Sequence, residues 1–98
     1  MRRDDALARL RALEQGLRRQ GLSALFLIGS VARDEASDTS DVDLLFDVPP
    51  DVRFSLFDQA RIQSELAETL HAGVDLVPIE ALKPGLRARV EAEMVRVF

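Results

Sequence analysis

The sequence predicts an α/β domain in which helices cover a small sheet. Three observations carry that expectation. Short apolar runs at 24–28, 42–48 and 74–79 are too short for helices and suit buried strands. Longer stretches at 4–20 and 54–72 repeat their leucines and isoleucine at helical spacing. Glycine and proline fall at the junctions. The order reads αβ(α)βαβαβ, the alternation of a layered domain with helices packed on a sheet. The 98 residues make one domain, 1–98, with no repeat or linker.

The elements follow in order. Leu7, Leu10, Leu13 and Leu17 form one stripe of a helix over 4–20, closed by Gly21 after Arg18 and Arg19. Ala24 to Ile28 form the first strand, and Gly29-Ser30 breaks it. Residues 31–36 suit a short helical turn, and 37–40 a polar loop. The second strand, VDLLFDV, ends at Pro49-Pro50. In the helix over 54–72, Ser55 and Asp58 have capping-box spacing, and Ile62, Leu66 and Leu70 form the apolar stripe. Gly73 is expected to close this helix, with His71 near its end in a cationic or capping role. A third strand covers 74–79. Pro84 suits the first turn of a helix over 84–92, and 94–98 can form a last strand. Phe26, Phe46, Phe54 and Phe57 are assigned to the core.

Composition removes several chemistries. There is no cysteine, hence no disulfide, thiolate metal site or cysteine nucleophile. A single histidine excludes a multi-histidine zinc site within the chain. No apolar run is long enough to cross a membrane and the first residues do not resemble a signal peptide, so the cytoplasm is the expected compartment. The net charge of −4 is unevenly spread. Residues 1–20 carry six arginines against Asp4, Asp5 and Glu14, whereas 31–51 carry Arg33 against seven acids. That acidic centre argues against direct contact with a nucleic-acid backbone and suits the gathering of cations.

Spacing then separates a site from a solvated loop. Gly29-Ser30 is followed, after ten residues, by Asp41-Val42-Asp43. A glycine directly after a buried strand permits a tight turn and close approach to a ligand. The Ser30 hydroxyl and the backbone N–H groups after it can hold phosphate oxygens. Asp41 and Asp43 share one face of a strand, while Val42, Leu44 and Phe46 point into the core. Two carboxylates about 4 Å apart at an effective dielectric near 20 repel by roughly 4 kcal/mol, which a divalent cation would relieve. Carboxylates are hard ligands suited to Mg²⁺ or Mn²⁺. Asp75, an acid inside the apolar run Val74-Asp75-Leu76-Val77, is the candidate third carboxylate. An EF-hand is excluded because Phe46 and Val52 occupy the required Gly and Glu positions. Walker A and Gly-x-Gly-x-x-Gly patterns are absent.

Gly29, Ser30, Asp41 and Asp43 match the GS-x(10)-D-x-D signature of the DNA polymerase β nucleotidyltransferase superfamily. The longer segment GSVARDEASDTSDVDLLFDVP resembles the minimal nucleotidyltransferases, small proteins encoded beside HEPN-domain toxins. The likeness continues through Val74-Asp75-Leu76-Val77 and LKPGLRARVEAEMVRVF, covering about residues 25–98. Where the family usually has glycine, this chain has Asp34; where the family often ends in tyrosine, it has Phe98.

The resemblance implies a mixed sheet of three or four strands with flanking helices. It implies that Gly29 and Ser30 hold the nucleotide phosphates, and Arg33 is a further candidate phosphate contact. It also implies that Asp41 and Asp43 coordinate Mg²⁺, two ions in all, and that Asp75 is the third acid, helping to activate the attacking hydroxyl. Antitoxins of this family are similar to enzymes that move AMP from ATP to a tyrosine of an RNase-like HEPN toxin. The alternatives are an antitoxin that neutralises its HEPN partner by binding alone, and a small-molecule nucleotidyltransferase, which needs a further domain for its acceptor.

Overall fold

A computed structural model describes all residues, 1–98. Two short helices, α1 (Arg3–Arg11) and α2 (Glu14–Arg19), lead into strand β1 (Ala24–Ile28). A single helical turn, α3 (Gly29–Ala32), precedes β2 (Val42–Asp47). Helix α4 (Leu56–Leu70) connects β2 to β3 (Val74–Pro78). A 3₁₀ turn at Ile79–Ala81, helix α5 (Pro84–Glu93) and the short strand β4 (Val95–Arg96) complete the chain.

The sheet has the order β3-β2-β1-β4. Strand β1 runs antiparallel to both β2 and β4, and β2 runs parallel to β3. The sheet is therefore mixed, as the resemblance implies. The parallel pair requires a crossover, and α4 supplies it.

Alternation along the strands builds two apolar layers. Val42, Leu44 and Phe46 of β2, with Leu25, Leu27, Val74 and Leu76, face the main core. That core is closed by Leu7 and Leu10 of α1, Leu17 of α2, and Ile62, Leu66 and Leu70 of α4. Ala24, Phe26, Leu45 and Ile79 form a smaller cluster on the opposite face, beneath Val90 and Met94. Strand β1 is buried on both sides because both layers use it.

The structure corrects several expected boundaries. The first helix is divided at Ala12–Leu13, where the Leu13 N–H donates to the Leu10 carbonyl at 3.0 Å in a tightened turn. The stripe is re-aimed there, and Leu13 is only half-buried. The turn expected at 31–36 begins earlier, on Gly29, and Asp34 stops it by entering the left-handed region at φ 58°. Helix α4 ends on His71, also left-handed at φ 52°, so Gly73 does not close it. The capping box is present: the Asp58 N–H donates to Ser55 Oγ at 3.2 Å, and the Ser55 N–H donates to Asp58 Oδ2 at 2.9 Å. Phe26 and Phe46 are core residues, but Phe57 is 86% exposed at the start of α4.

Candidate active site

The acidic residues gather at one end of the face carrying the smaller apolar layer. Asp43 pairs in register with Ile28 on β1 and with Asp75 on β3. In-register residues on adjacent strands project to the same side, so Asp43 and Asp75 are neighbours. Asp41 immediately precedes β2 and shares their face through the two-residue repeat. Asp43 is half-buried; Asp41 and Asp75 are exposed.

Each of the first two acids nests over a glycine. Gly29, at φ 74°, turns the chain from β1 into α3, a conformation few other residues adopt. A Cβ built there would lie 3.3 Å from Asp43 Cγ. On the other side of β2, a Cβ at Gly73 would lie 3.1 Å from Asp41 Cγ. The Asp43 and Asp41 carboxylates thus lean toward opposite neighbours of β2. No three carboxylate, imidazole or thiol groups stand in a ligating cluster as the side chains are placed.

The electrostatics show an uncompensated charge. Partial burial pushes the Asp43 carboxyl above the usual carboxylate range, and the negative charges of Asp75 and then Asp41 push it further. Arg33 opposes this weakly. The chain's ion pairs engage Asp4, Glu14, Glu35, Glu93, Asp58 and Glu91, and none engages Asp41, Asp43 or Asp75. Oxygen donors of one sign, without an ion-pair partner and with glycines clearing space beside Asp41 and Asp43, fit a hard divalent cation.

The remaining expected residues surround this corner. Ser30 is half-buried on the first turn of α3, directly after Gly29. Arg33 closes that turn, with Nε 3.1 Å from Glu35 Oε2 and Nη1 3.6 Å from Glu93 Oε2. Its guanidinium is thus shared between two glutamates while remaining near enough to influence Asp43. Asp34 turns away from the acids: its Oδ1 accepts the Arg3 N–H at 2.9 Å, capping the start of α1 from a distant part of the chain. The sequence reading missed Gly73. Its signal was a glycine opening a strand whose parallel neighbour begins just after an aspartate.

Two clefts of about 400 and 350 Å³ lie elsewhere. The larger borders Phe46, Pro49, Phe54 and Pro78 at the far end of the strands; the smaller lies between α2 and α4. The carboxylates therefore occupy an open face, not an enclosed pocket.

Comparison with known proteins identifies the family to which this mixed sheet, with its glycine turn beside strand carboxylates, belongs. The nucleotidyltransferase domain model matches residues 10–97, and the chain belongs to that family. It is a nucleotidyltransferase of minimal size and fold. It is 35% identical over 82 residues to a Methanocaldococcus jannaschii protein named "Putative protein adenylyltransferase", covering 84% of this chain and 86% of that one. A solved structure described as a "putative minimal nucleotidyltransferase" superposes with TM-score 0.82 and 35% identity, covering 97% of this chain and 95% of the other. A complex of a tri-AMPylated Shewanella oneidensis HEPN toxin with its MNT antitoxin shares the fold, with TM-score 0.68 and 18% identity over 98% of this chain and 71% of the other.

Proposed function

We propose that this protein transfers AMP from ATP to a hydroxyl group on a partner protein, acting as the antitoxin to a HEPN-type RNase toxin. The observation that carries the reading is that Asp41, Asp43 and Asp75 share one open face, with Asp43 against the Gly29 turn and in register with Asp75. An open face suits an acceptor presented by another protein, whose docking would fix its orientation. The sequence contains no tyrosine, so a tyrosine acceptor must come from another chain. The relatives point the same way: one is named for protein adenylyl transfer, and one is an antitoxin bound to an AMPylated HEPN toxin.

In this reading Gly29 and Ser30 receive the triphosphate, with Arg33 leaving its glutamates to contact a phosphate. Asp41, Asp43 and Asp75 would hold Mg²⁺ or Mn²⁺, which when bound would supply positive charge to offset that of the phosphates. Asp75 accepts the proton of the incoming hydroxyl. The acceptor oxygen bonds to the α-phosphorus, the bond from that phosphorus to the bridging oxygen breaks, and pyrophosphate leaves. The absence of membrane-length apolar helices is compatible with a cytoplasmic partner.

The test uses ATP labelled in turn at the α- and γ-phosphorus, incubated with this protein, Mg²⁺ and a HEPN protein encoded beside it. Label from the α-position alone should appear on the partner. Label from the γ-position would identify phosphoryl transfer, and label from neither would leave neutralisation by binding.

A further inference from the structure

We infer that Gly73 is a positioning residue that sets the place of the Asp41 carboxylate, an inference that rests on the metal-dependent transfer proposed above. Glycine has three common uses, and two do not apply here. It does not terminate α4, because His71 takes the left-handed capping position and its N–H donates to the Ala67 carbonyl. It does not relieve a left-handed backbone, because the positive-φ glycines are Gly21 and Gly29. What remains is the space a side chain would fill, and the Asp41 carboxylate fills it. A Cβ at Gly73 would meet Asp41 Oδ1 and stand 3.1 Å from its Cγ.

The backbone holds this contact in place. The Val42 N–H donates to the Gly73 carbonyl at 2.8 Å, tying Gly73 to the residue directly after Asp41. Gly73 cannot withdraw without breaking the start of the β2–β3 ladder, which also carries the Asp43–Asp75 pair. Asp41 is exposed, so a methyl group at position 73 would displace its carboxylate more easily than it would displace the strand. The arrangement mirrors Gly29 and Asp43 on the other side of β2. Each acid of the Asp41-Val42-Asp43 motif is seated over a glycine of a neighbouring strand junction, and substitution at 73 should unseat only one of them.

The experiment measures Mn²⁺ binding by the electron paramagnetic resonance of the free ion, with melting curves in EDTA alongside. It uses the full chain as wild type, Gly73→Ala, Asp41→Ala and the double variant. Gly73→Ala should bind Mn²⁺ about 10- to 100-fold more weakly, the usual effect of disturbing a ligand's support, while melting in EDTA like wild type. In the Asp41→Ala background, adding Gly73→Ala should change binding no further. Wild type that binds no Mn²⁺ overturns the metal-dependent reading and this inference with it. Wild-type affinity in Gly73→Ala, or additional weakening in the double variant, overturns the inference alone. Should Gly73→Ala lower the melting temperature in EDTA, Asp41→Ala restores it by removing the collision; a double variant that still melts low overturns the inference.

Discussion

Asp43 and Asp75 are register partners on adjacent parallel strands, and the negative charge of Asp75 raises the proton affinity of Asp43. Burial is the larger cause of the Asp43 shift, and Asp41 adds to it. A carboxyl whose folded pKa lies above its unfolded value binds more protons in the native state. Its ionisation therefore costs stability as pH rises through about 4 and beyond. Asp43→Asn should consequently stabilise the metal-free protein at pH 7, by on the order of 1 kcal/mol or less given its solvent exposure. The gain should shrink as pH falls below the ordinary Asp value of about 3.9 and be gone by about pH 2, where Asp43 is protonated in both states. Urea melts at the two pH values in EDTA check this; a variant less stable than wild type at pH 7 contradicts it.

Divalent cation should reverse the penalty. Saturating Mn²⁺ should raise the wild-type melting temperature, since a ligand at a hundredfold excess over its Kd adds ~2.7 kcal/mol. The combined Asp41→Asn and Asp43→Asn protein should stay folded and lose that response. A double variant showing the same metal-induced rise would place the binding site elsewhere.

Between the two acids and their strand neighbours the division of labour is strict. Leu44 is fully buried in the main core, whereas Asp43 faces the open side. Leu44→Ala should cost ~2–5 kcal/mol through the cavity it leaves, measured by chemical denaturation. A loss below ~1 kcal/mol would mean that the strand alternation is misassigned.

Asp34 has two structural uses of its own. It adopts the left-handed backbone at φ 58° and uses its carboxylate to cap α1 through the Arg3 N–H. Asp34→Gly should lose only the cap, costing about 0.5–1 kcal/mol. Asp34→Ala should lose the cap and add left-handed strain, about 1–2 kcal/mol more. Equal losses in the two variants, by urea denaturation, would contradict this assignment.

Much of this arrangement was legible in the residues. The buried run at 24–28 reads directly as a strand because its apolar character is continuous, and the run expected at 74–79 because apolar residues flank a single acid; it ends at Pro78. The Ser55–Asp58 box was readable because capping is local chemistry at fixed spacing. That Asp41 and Asp43 share a face was visible because strand alternation fixes which residues project to one side. What escaped was set by contacts distant in sequence. Asp34 reaches a partner 31 residues away, and Gly73 matters for an aspartate on another strand. The exposure of Phe57 follows from helical spacing itself, which puts it on the side of α4 opposite Ile62, Leu66 and Leu70.

Replacing the Asp43 carboxylate while keeping its size gives the most direct test of the central claim. Asp43→Asn and wild type would each be mixed with the partner protein, Mg²⁺ and α-labelled ATP, with melting curves confirming that both are folded. Wild type should label the partner, and Asp43→Asn should label it at least a hundredfold more slowly, in keeping with the loss of an essential electrostatic group. Partner labelling by Asp43→Asn at the wild-type rate would contradict the account, because the acid at its centre would then have no part in the transfer.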